Sequence, residues 1–230
     1  ARAHKPFKVL SLLFFGAFVV GALAANWQYF TDYVGRVVLV VFLMNALGLE
    51  FDGSGYYGWQ RQDNAPSVQQ TLEDAALALD GNPVEVIGAG RTDAGVHAVG
   101  QVAHLRLARA IDAEAVRRAA NDLLPADIHI RSLVRAPDRF HARHDAVSRS
   151  YVYQISRRRT ALAKRFVWWV RRPLDLGAMR AGAALLAGRH DFARFCEKPL
   201  EQTSTVVVVE RCEVETAGEL ILVRVVASHF

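Results

Sequence analysis

Cysteine is nearly absent from this sequence. The 230 residues include two cysteines, Cys196 and Cys212, which form no C-x-x-C pair. A disulfide framework is therefore excluded, and a zinc site is not indicated because no histidine or further cysteine stands near either one at ligand spacing. Unpaired cysteines are typical of a reducing compartment, so a cytoplasmic location is expected.

Acidic residues are scarce in one long segment. Residues 139–172 contain ten Lys and Arg and a single acid, Asp145. The chain has a net charge of +5, so this segment, at +9, leaves the remainder at −4. A basic block in an otherwise mildly acidic chain indicates a polyanionic partner such as nucleic acid. A solvated basic loop is the alternative, because charge patterning alone does not separate the two.

The hydrophobic pattern from Met44 onward predicts an α+β fold. Strands are predicted at 46–51, 84–87, 99–107, 128–134, 150–156, 206–214 and 220–228. Helices are predicted to begin after Ser67, Asp112 and Asp175. Gln70 completes a capping box with Ser67. The elements form two similar halves, 44–145 and 146–230.

Periodicity also assigns side chains to the core. In the second helix, one stripe is expected to face inward: Val116, Ala119, Ala120 and Leu123. In the strand that follows Arg149, alternate side chains share a face, and Tyr153 is expected to pack in the core.

The loop 88–97, with the sequence GAGRTDAGVH, is the strongest candidate site. Its glycines allow tight turns and a close approach to a ligand. It carries a cation, Arg91, a carboxylate, Asp93, and an imidazole, His97, and both Arg91 and His97 are candidates for contact with an RNA substrate. A carboxylate in such a loop can act as a nucleophile or a general base. The alternative is a turn in which Asp93 caps backbone N–H groups and pairs with Arg91. The loop lacks the phosphate-binding glycine spacing, and no third ligand joins His97 and His104.

Two further segments combine aromatic and polar side chains. In residues 53–62, GSGYYGWQRQ, aromatic rings suit stacking on bases, and Gln60 suits contact with base edges. Burial of Trp59 in the core is an equal alternative. In residues 140–153, FHARHDAVSRSYVY, Arg143 and Arg149 are candidates for phosphate contacts.

These stretches resemble the TruA family of tRNA pseudouridine synthases. The resemblance rests on FDGSGYYGWQRQ, GAGRTDAGVHAVGQVAH, NDLLPADIHI, FHARHDAVSRSYVY and GRHDFARFC, which occur in the order and spacing of the family. It covers residues 45–230, and GRTDAGVH is highly specific.

The resemblance implies isomerisation of uridine to pseudouridine at positions 38, 39 and 40 of the tRNA anticodon stem-loop, with no cofactor and no metal. It implies two α/β halves with mainly antiparallel sheets joined around a central basic cleft, and a homodimer in which one tRNA touches both subunits. Asp93 would be the nucleophile, attacking C1′ of the ribose or C6 of the base. Arg91 would fill the space of the flipped base, and Tyr151 would stack on the target uracil.

The same resemblance implies a basic residue that pairs with the catalytic aspartate, in a segment similar to F-L-x-x-M-V-R after ASHF. The sequence stops at Phe230, before that segment. Residues 44–230 are accordingly expected to turn over poorly, if at all. The alternative is an RNA-binding protein that binds tRNA without converting uridine to pseudouridine.

Residues 8–25 form an apolar run with no charge after Lys8. Its length nearly spans a bilayer, and its flanks are typical of a signal peptide or a membrane anchor. A tRNA substrate requires the cytosol, and Met44 stands just before the first predicted strand. Residues 1–43 are therefore expected to be foreign to the enzyme, with a membrane-anchored protein as the alternative.

Overall fold

The computed structural model describes residues 43–107, 112–196 and 204–229. These residues form nine strands in two sheets, with three α-helices. The apolar run 8–25 lies outside the described residues, so the structure does not address the membrane-anchor alternative. Within the described ranges, no helix combines the length and the apolar character needed to cross a membrane.

The first sheet has four antiparallel strands in the order β2-β3-β1-β4. They are β1 (Leu43–Phe51), β2 (Ile87–Gly88), β3 (Ala98–Leu107) and β4 (Ile128–Arg135). The helices α1 (Val68–Asp80) and α2 (Ala113–Leu123) share one apolar core with this sheet. Leu49, Val68 and Val86 are completely buried there.

Local signals set the helix ends largely as predicted. Ser67 Oγ accepts a hydrogen bond from the Gln70 amide, and α1 ends at Gly81 in a left-handed conformation. The inward position predicted for Leu123 is wrong, because its side chain is 52% exposed. The chain becomes extended at Leu124, directly after α2, and this turn carries the Leu124 side chain into the core instead.

The second sheet has five strands in the order β6-β5-β9-β8-β7. They are β5 (Arg149–Ser156), β6 (Trp168–Trp169), β7 (Gly188–Asp191), β8 (Val206–Ala217) and β9 (Leu220–Ala227). Helix α3 (Leu176–Leu186) packs on β8, and Cys212 lies in the core of this unit. All pairs are antiparallel except β5 with β6. The predicted α+β class with mainly antiparallel sheets is confirmed.

The core position predicted for Tyr153 is wrong. Its side chain is 55% exposed, and its ring meets the edge of Trp168 at 6.1 Å. The short strand β6 pairs only with residues 155 and 156 of β5. Tyr153 lines an open cleft beside this sheet, so its alternation with Ile155 does not carry it into the core.

Candidate active site

The loop 88–97 joins β2 to β3 and lies on a buried tryptophan. Trp59 is 3% exposed and belongs to the first core. A Cβ on Gly88 would come within 2.6 Å of the Trp59 ring, so only glycine lets the loop begin this close to the core. Of the two interpretations of Trp59, burial in the core is the one found.

The middle of the loop is fixed by the backbone of residues 56–59. The Trp59 amide donates to the Thr92 carbonyl at 2.9 Å, and the Gly95 amide donates to the Tyr56 carbonyl at 3.3 Å. Gly58 has a φ of +94°, and a Cβ there would lie 2.5 Å from the Thr92 carbonyl oxygen. Two backbone segments are therefore packed directly against each other on either side of Asp93.

Asp93 and Arg91 both have exposed side chains. The Asp93 carbonyl accepts a hydrogen bond from the Val96 amide at 3.2 Å, which closes a turn. Among the described residues, the Asp93 carboxylate makes no ion pair and no hydrogen bond. The alternative of a capping carboxylate paired with Arg91 is thus not what these residues form.

Tyr151 brings the second sheet to the loop. It lies on β5, and its hydroxyl is 3.8 Å from the position that a Cβ on Gly90 would occupy. Burial raises the pKa of the Tyr151 phenol, the positive charge of Arg149 lowers it, and the negative charge of Asp93 raises it. The predicted nucleophile and the predicted stacking residue therefore lie close enough to interact electrostatically.

Arg149 is directed at backbone carbonyl groups. Its guanidinium donates to the Ala89 carbonyl from Nε at 3.2 Å and from Nη2 at 2.8 Å. It also donates to the Ser228 carbonyl at 2.8 Å and to the Arg143 carbonyl at 3.0 Å. This differs from the phosphate contact predicted for Arg149, because the guanidinium is occupied within the protein. The Arg143 side chain is exposed, as a phosphate contact requires.

His97, at the end of the loop, contacts residues of both units of the chain, 44–145 and 146–230. Its Nδ1 lies 3.2 Å from the Gly53 amide nitrogen and 3.0 Å from Asp52 Oδ1, and its Nε2 lies 2.9 Å from the Arg165 carbonyl oxygen. The imidazole ring also packs against the Phe166 ring, with the centroids 4.6 Å apart and the planes tilted by 44°. Both ring nitrogens therefore meet protein atoms, which favours a structural role over the predicted contact with substrate.

Asp52 is the charged centre of that junction. Hydrogen bonds from the Ser54 hydroxyl and amide lower the pKa of the Asp52 carboxyl, and the charges of His97 and Arg165 act in the same direction against the effect of burial. Asp52 thus carries its negative charge at neutral pH, beside the contacts that Arg165 and Phe166 make with Asp52 and His97.

A cleft of about 1370 Å³ lies between the two sheets. Thr92 and Gly95, on either side of Asp93, line it together with Tyr151. Its charged lining is balanced, with three arginines and four carboxylates: Arg149, Arg165, Arg224, Glu50, Asp52, Asp127 and Asp145. The positive charge predicted for the cleft is therefore not in its wall. Arg91 and Arg143 do not line the cleft. Their side chains are exposed, and each residue is adjacent in the chain to a residue that does line it. Gln60 is also exposed and does not line the cleft.

Several contributors to the site carry no local sequence signal. Gln101 on β3 donates to the Gly90 carbonyl at 2.7 Å, and Asp127 accepts from the Tyr56 hydroxyl at 2.8 Å. In the sequence, Arg165 is indicated only as one of the ten cations of the basic block 139–172. No group of three His, Cys, Asp or Glu in the described part of the chain could hold a metal ion.

Comparison with known proteins connects this site with a family. The profile of the family described as tRNA pseudouridine synthase matches residues 49–145, which include the loop 88–97. The tRNA pseudouridine synthase A of Rhizobium meliloti is 46% identical over 189 residues, which are 80% of this chain and 76% of that protein. The enzymes of the same name from Syntrophotalea carbinolica and Rhodospirillum rubrum are 46% and 44% identical, over 79% and 80% of this chain and 73% and 67% of theirs. On these matches, the chain belongs to the tRNA pseudouridine synthase A family of isomerases.

Proposed function

We propose that this chain isomerises uridine to pseudouridine at positions 38, 39 and 40 of the tRNA anticodon stem-loop, with Asp93 as the nucleophile. The observation that carries the proposal is the setting of Asp93. Its exposed carboxylate stands on a loop whose backbone is held on both sides, within electrostatic reach of Tyr151. The cleft beside it exceeds the ~300–1,000 Å³ of ordinary ligand pockets, which suits a nucleotide with its neighbouring backbone.

The reaction requires one bond to the ribose to be exchanged for another. The uridine first leaves the base stack, because its glycosidic bond is inaccessible within a stem. Asp93 then forms a bond to C1′ of the ribose or C6 of the base, the N1–C1′ bond breaks, and the uracil turns and joins C1′ through C5. The bond to Asp93 breaks again, which regenerates the free carboxylate. The proton lost from C5 is balanced by the one gained at N1, so no cofactor is needed. Arg91 fills the vacated stack, and Tyr151 stacks on the uracil.

The tRNA backbone is proposed to dock on the basic block. Arg143 is exposed beside the cleft, and the exposed cations of residues 157–172 extend the positive surface. Gln60 would contact the RNA outside the cleft wall. We further propose a cytoplasmic homodimer in which one tRNA touches both subunits, as the family resemblance implies.

Replacing Asp93 by asparagine tests the proposal. A single-turnover assay with protein in excess over tRNA registers even the poor turnover expected of residues 44–230. It should show slow pseudouridine formation by the parent chain and none by Asp93→Asn, with tRNA binding retained. Asp74→Asn, an exposed change on α1, is the matched control. A rate of one tenth or more in Asp93→Asn, about 1.4 kcal/mol of barrier, would refute the role of Asp93. Salt-sensitive tRNA binding without turnover by the parent would favour the RNA-binding alternative.

A further inference from the structure

We propose that Arg149 is a positioning residue that sets the distance between the two sides of the active site. The inference rests on the proposed function, in which Asp93 and Tyr151 act on the same uridine. Arg149 starts β5 in the second unit, and Ala89 is the second residue of the loop 88–97 in the first. The two hydrogen bonds from the guanidinium to the Ala89 carbonyl therefore join the strand of Tyr151 directly to the loop of Asp93.

The hydrogen bonds of Arg149 leave little capacity for an RNA phosphate. A guanidinium has five N–H groups. Four of them are used, by Ala89 twice, by Ser228 and by Arg143. A bidentate phosphate contact requires two parallel N–H groups on the same edge. Arg149 cannot form one without giving up at least one of these carbonyl contacts, so its geometry favours a role inside the protein.

The start of the loop is also held by a side chain of the first sheet. Gln101 on β3 donates to the carbonyl of Gly90, the residue next to Ala89. Two consecutive carbonyl groups just before Arg91 are thus fixed by side chains from different sheets. Further along, the Thr92 carbonyl is held by the Trp59 amide. Between Ala89 and Asp93, three of the carbonyl groups, those of Ala89, Gly90 and Thr92, are therefore held by hydrogen bonds, so a displacement of Ala89 is expected to be passed on towards Asp93.

The planar fork of arginine is needed for this arrangement. The three carbonyl groups belong to residues far apart in the chain, at 89, 143 and 228, and they approach different edges of the guanidinium. A lysine ammonium carries the same charge and three donors, but it is a single compact point. Arg149→Lys therefore keeps the electrostatic attraction for RNA and removes the simultaneous contacts with the loop and the end of β9.

Arg149→Lys in the full chain separates the two roles. If Arg149 positions the loop, kcat of Arg149→Lys should fall on the order of a hundredfold, because misplacement of reacting groups by about 1 Å can slow a reaction by that much. The KM for tRNA and the salt dependence of tRNA binding should remain unchanged. Arg180→Lys is the matched control, because Arg180 also donates to a backbone carbonyl, that of Val214, within the second unit and away from the loop.

Amide hydrogen exchange gives a readout that does not depend on activity. In Arg149→Lys, the Gly95 and Val96 amides should exchange at least about tenfold faster, while the β3 amides stay protected. Gln101→Met, which removes the donor at Gly90, should give the same pattern if Arg149→Lys fails to fold. An unchanged kcat with a raised KM, and a salt slope smaller by about one, would overturn the proposal in favour of a phosphate contact. If the parent shows no turnover, the proposed function fails, and unchanged loop exchange in Arg149→Lys would still refute the positioning role.

Discussion

Replacing Gly58 by alanine is expected to displace the backbone on which Asp93 is mounted. Gly58 has a φ of +94°, and a Cβ there would lie 2.5 Å from the Thr92 carbonyl oxygen and 3.2 Å from the Asp93 carbonyl carbon. A left-handed backbone costs alanine roughly 1–2 kcal/mol, and the forced contact costs about 1–3 kcal/mol more. The free energy of unfolding should therefore fall by about 2–5 kcal/mol. Pseudouridine formation should fall as well, because the contact can be relieved only by moving the loop or the segment 56–59 that holds it.

Gly81→Ala is the matched control for this change. Gly81 also has a positive φ, +75°, but a Cβ there would have nothing within 4 Å. It should lose only the backbone term, roughly 1–2 kcal/mol, and keep its activity. Urea unfolding followed by circular dichroism measures both variants. Equal losses of stability would refute the close contact between Gly58 and the loop, and full activity of Gly58→Ala would refute its role in placing Asp93.

Three other predictions follow from burial, charge and stacking. Leu124→Ala should lower the free energy of unfolding by about 2–4 kcal/mol, whereas Leu123→Ala should change it by less than about 0.5 kcal/mol; comparable losses would contradict the inward turn at Leu124. The lowered pKa of Asp52 contributes stability that is present above the ordinary carboxyl pKa of about 3.9 and is lost as the pH falls through the folded-state value. In Asp52→Asn, the free energy of unfolding should therefore fall less steeply as the pH is lowered. An unchanged acid dependence in urea unfolding would count against the contacts of Asp52 with Ser54, His97 and Arg165. Tyr151→Phe should retain most turnover because the ring still stacks, while Tyr151→Ala should lose it; the reverse order would point to chemistry at the hydroxyl.

The sequence predicted those parts of the fold that depend on neighbouring residues. Ser67 and Gly81 bound α1 because a cap and a left-handed glycine act within one turn. The loop 88–97 was recognisable because its glycines and charged residues are contiguous. The long strands β8 and β9 were recognisable because apolar residues dominate both of them.

Features that depend on distant partners were not predictable. The two-residue strand β6 exists only through its pairing with β5. Tyr153 alternates as a core residue would, but its burial depends on whether another element packs on that face of the sheet, and an open cleft lies there instead. The contacts of Arg149 span 60 and 79 residues of chain, to Ala89 and Ser228, so a local pattern could indicate only its charge.

The placement of the two cysteines makes the molecule selectively addressable by thiol chemistry. Cys212 lies in the core of the second unit, where burial and the neighbouring charge of Glu213 raise the pKa of its thiol, whereas Cys196 is exposed after β7. The reactive species is the thiolate, so a maleimide at neutral pH should modify Cys196 and spare Cys212. A fluorophore or spin label can therefore be attached to the second unit of the unaltered chain, and its response to added tRNA can be followed without removing any native residue.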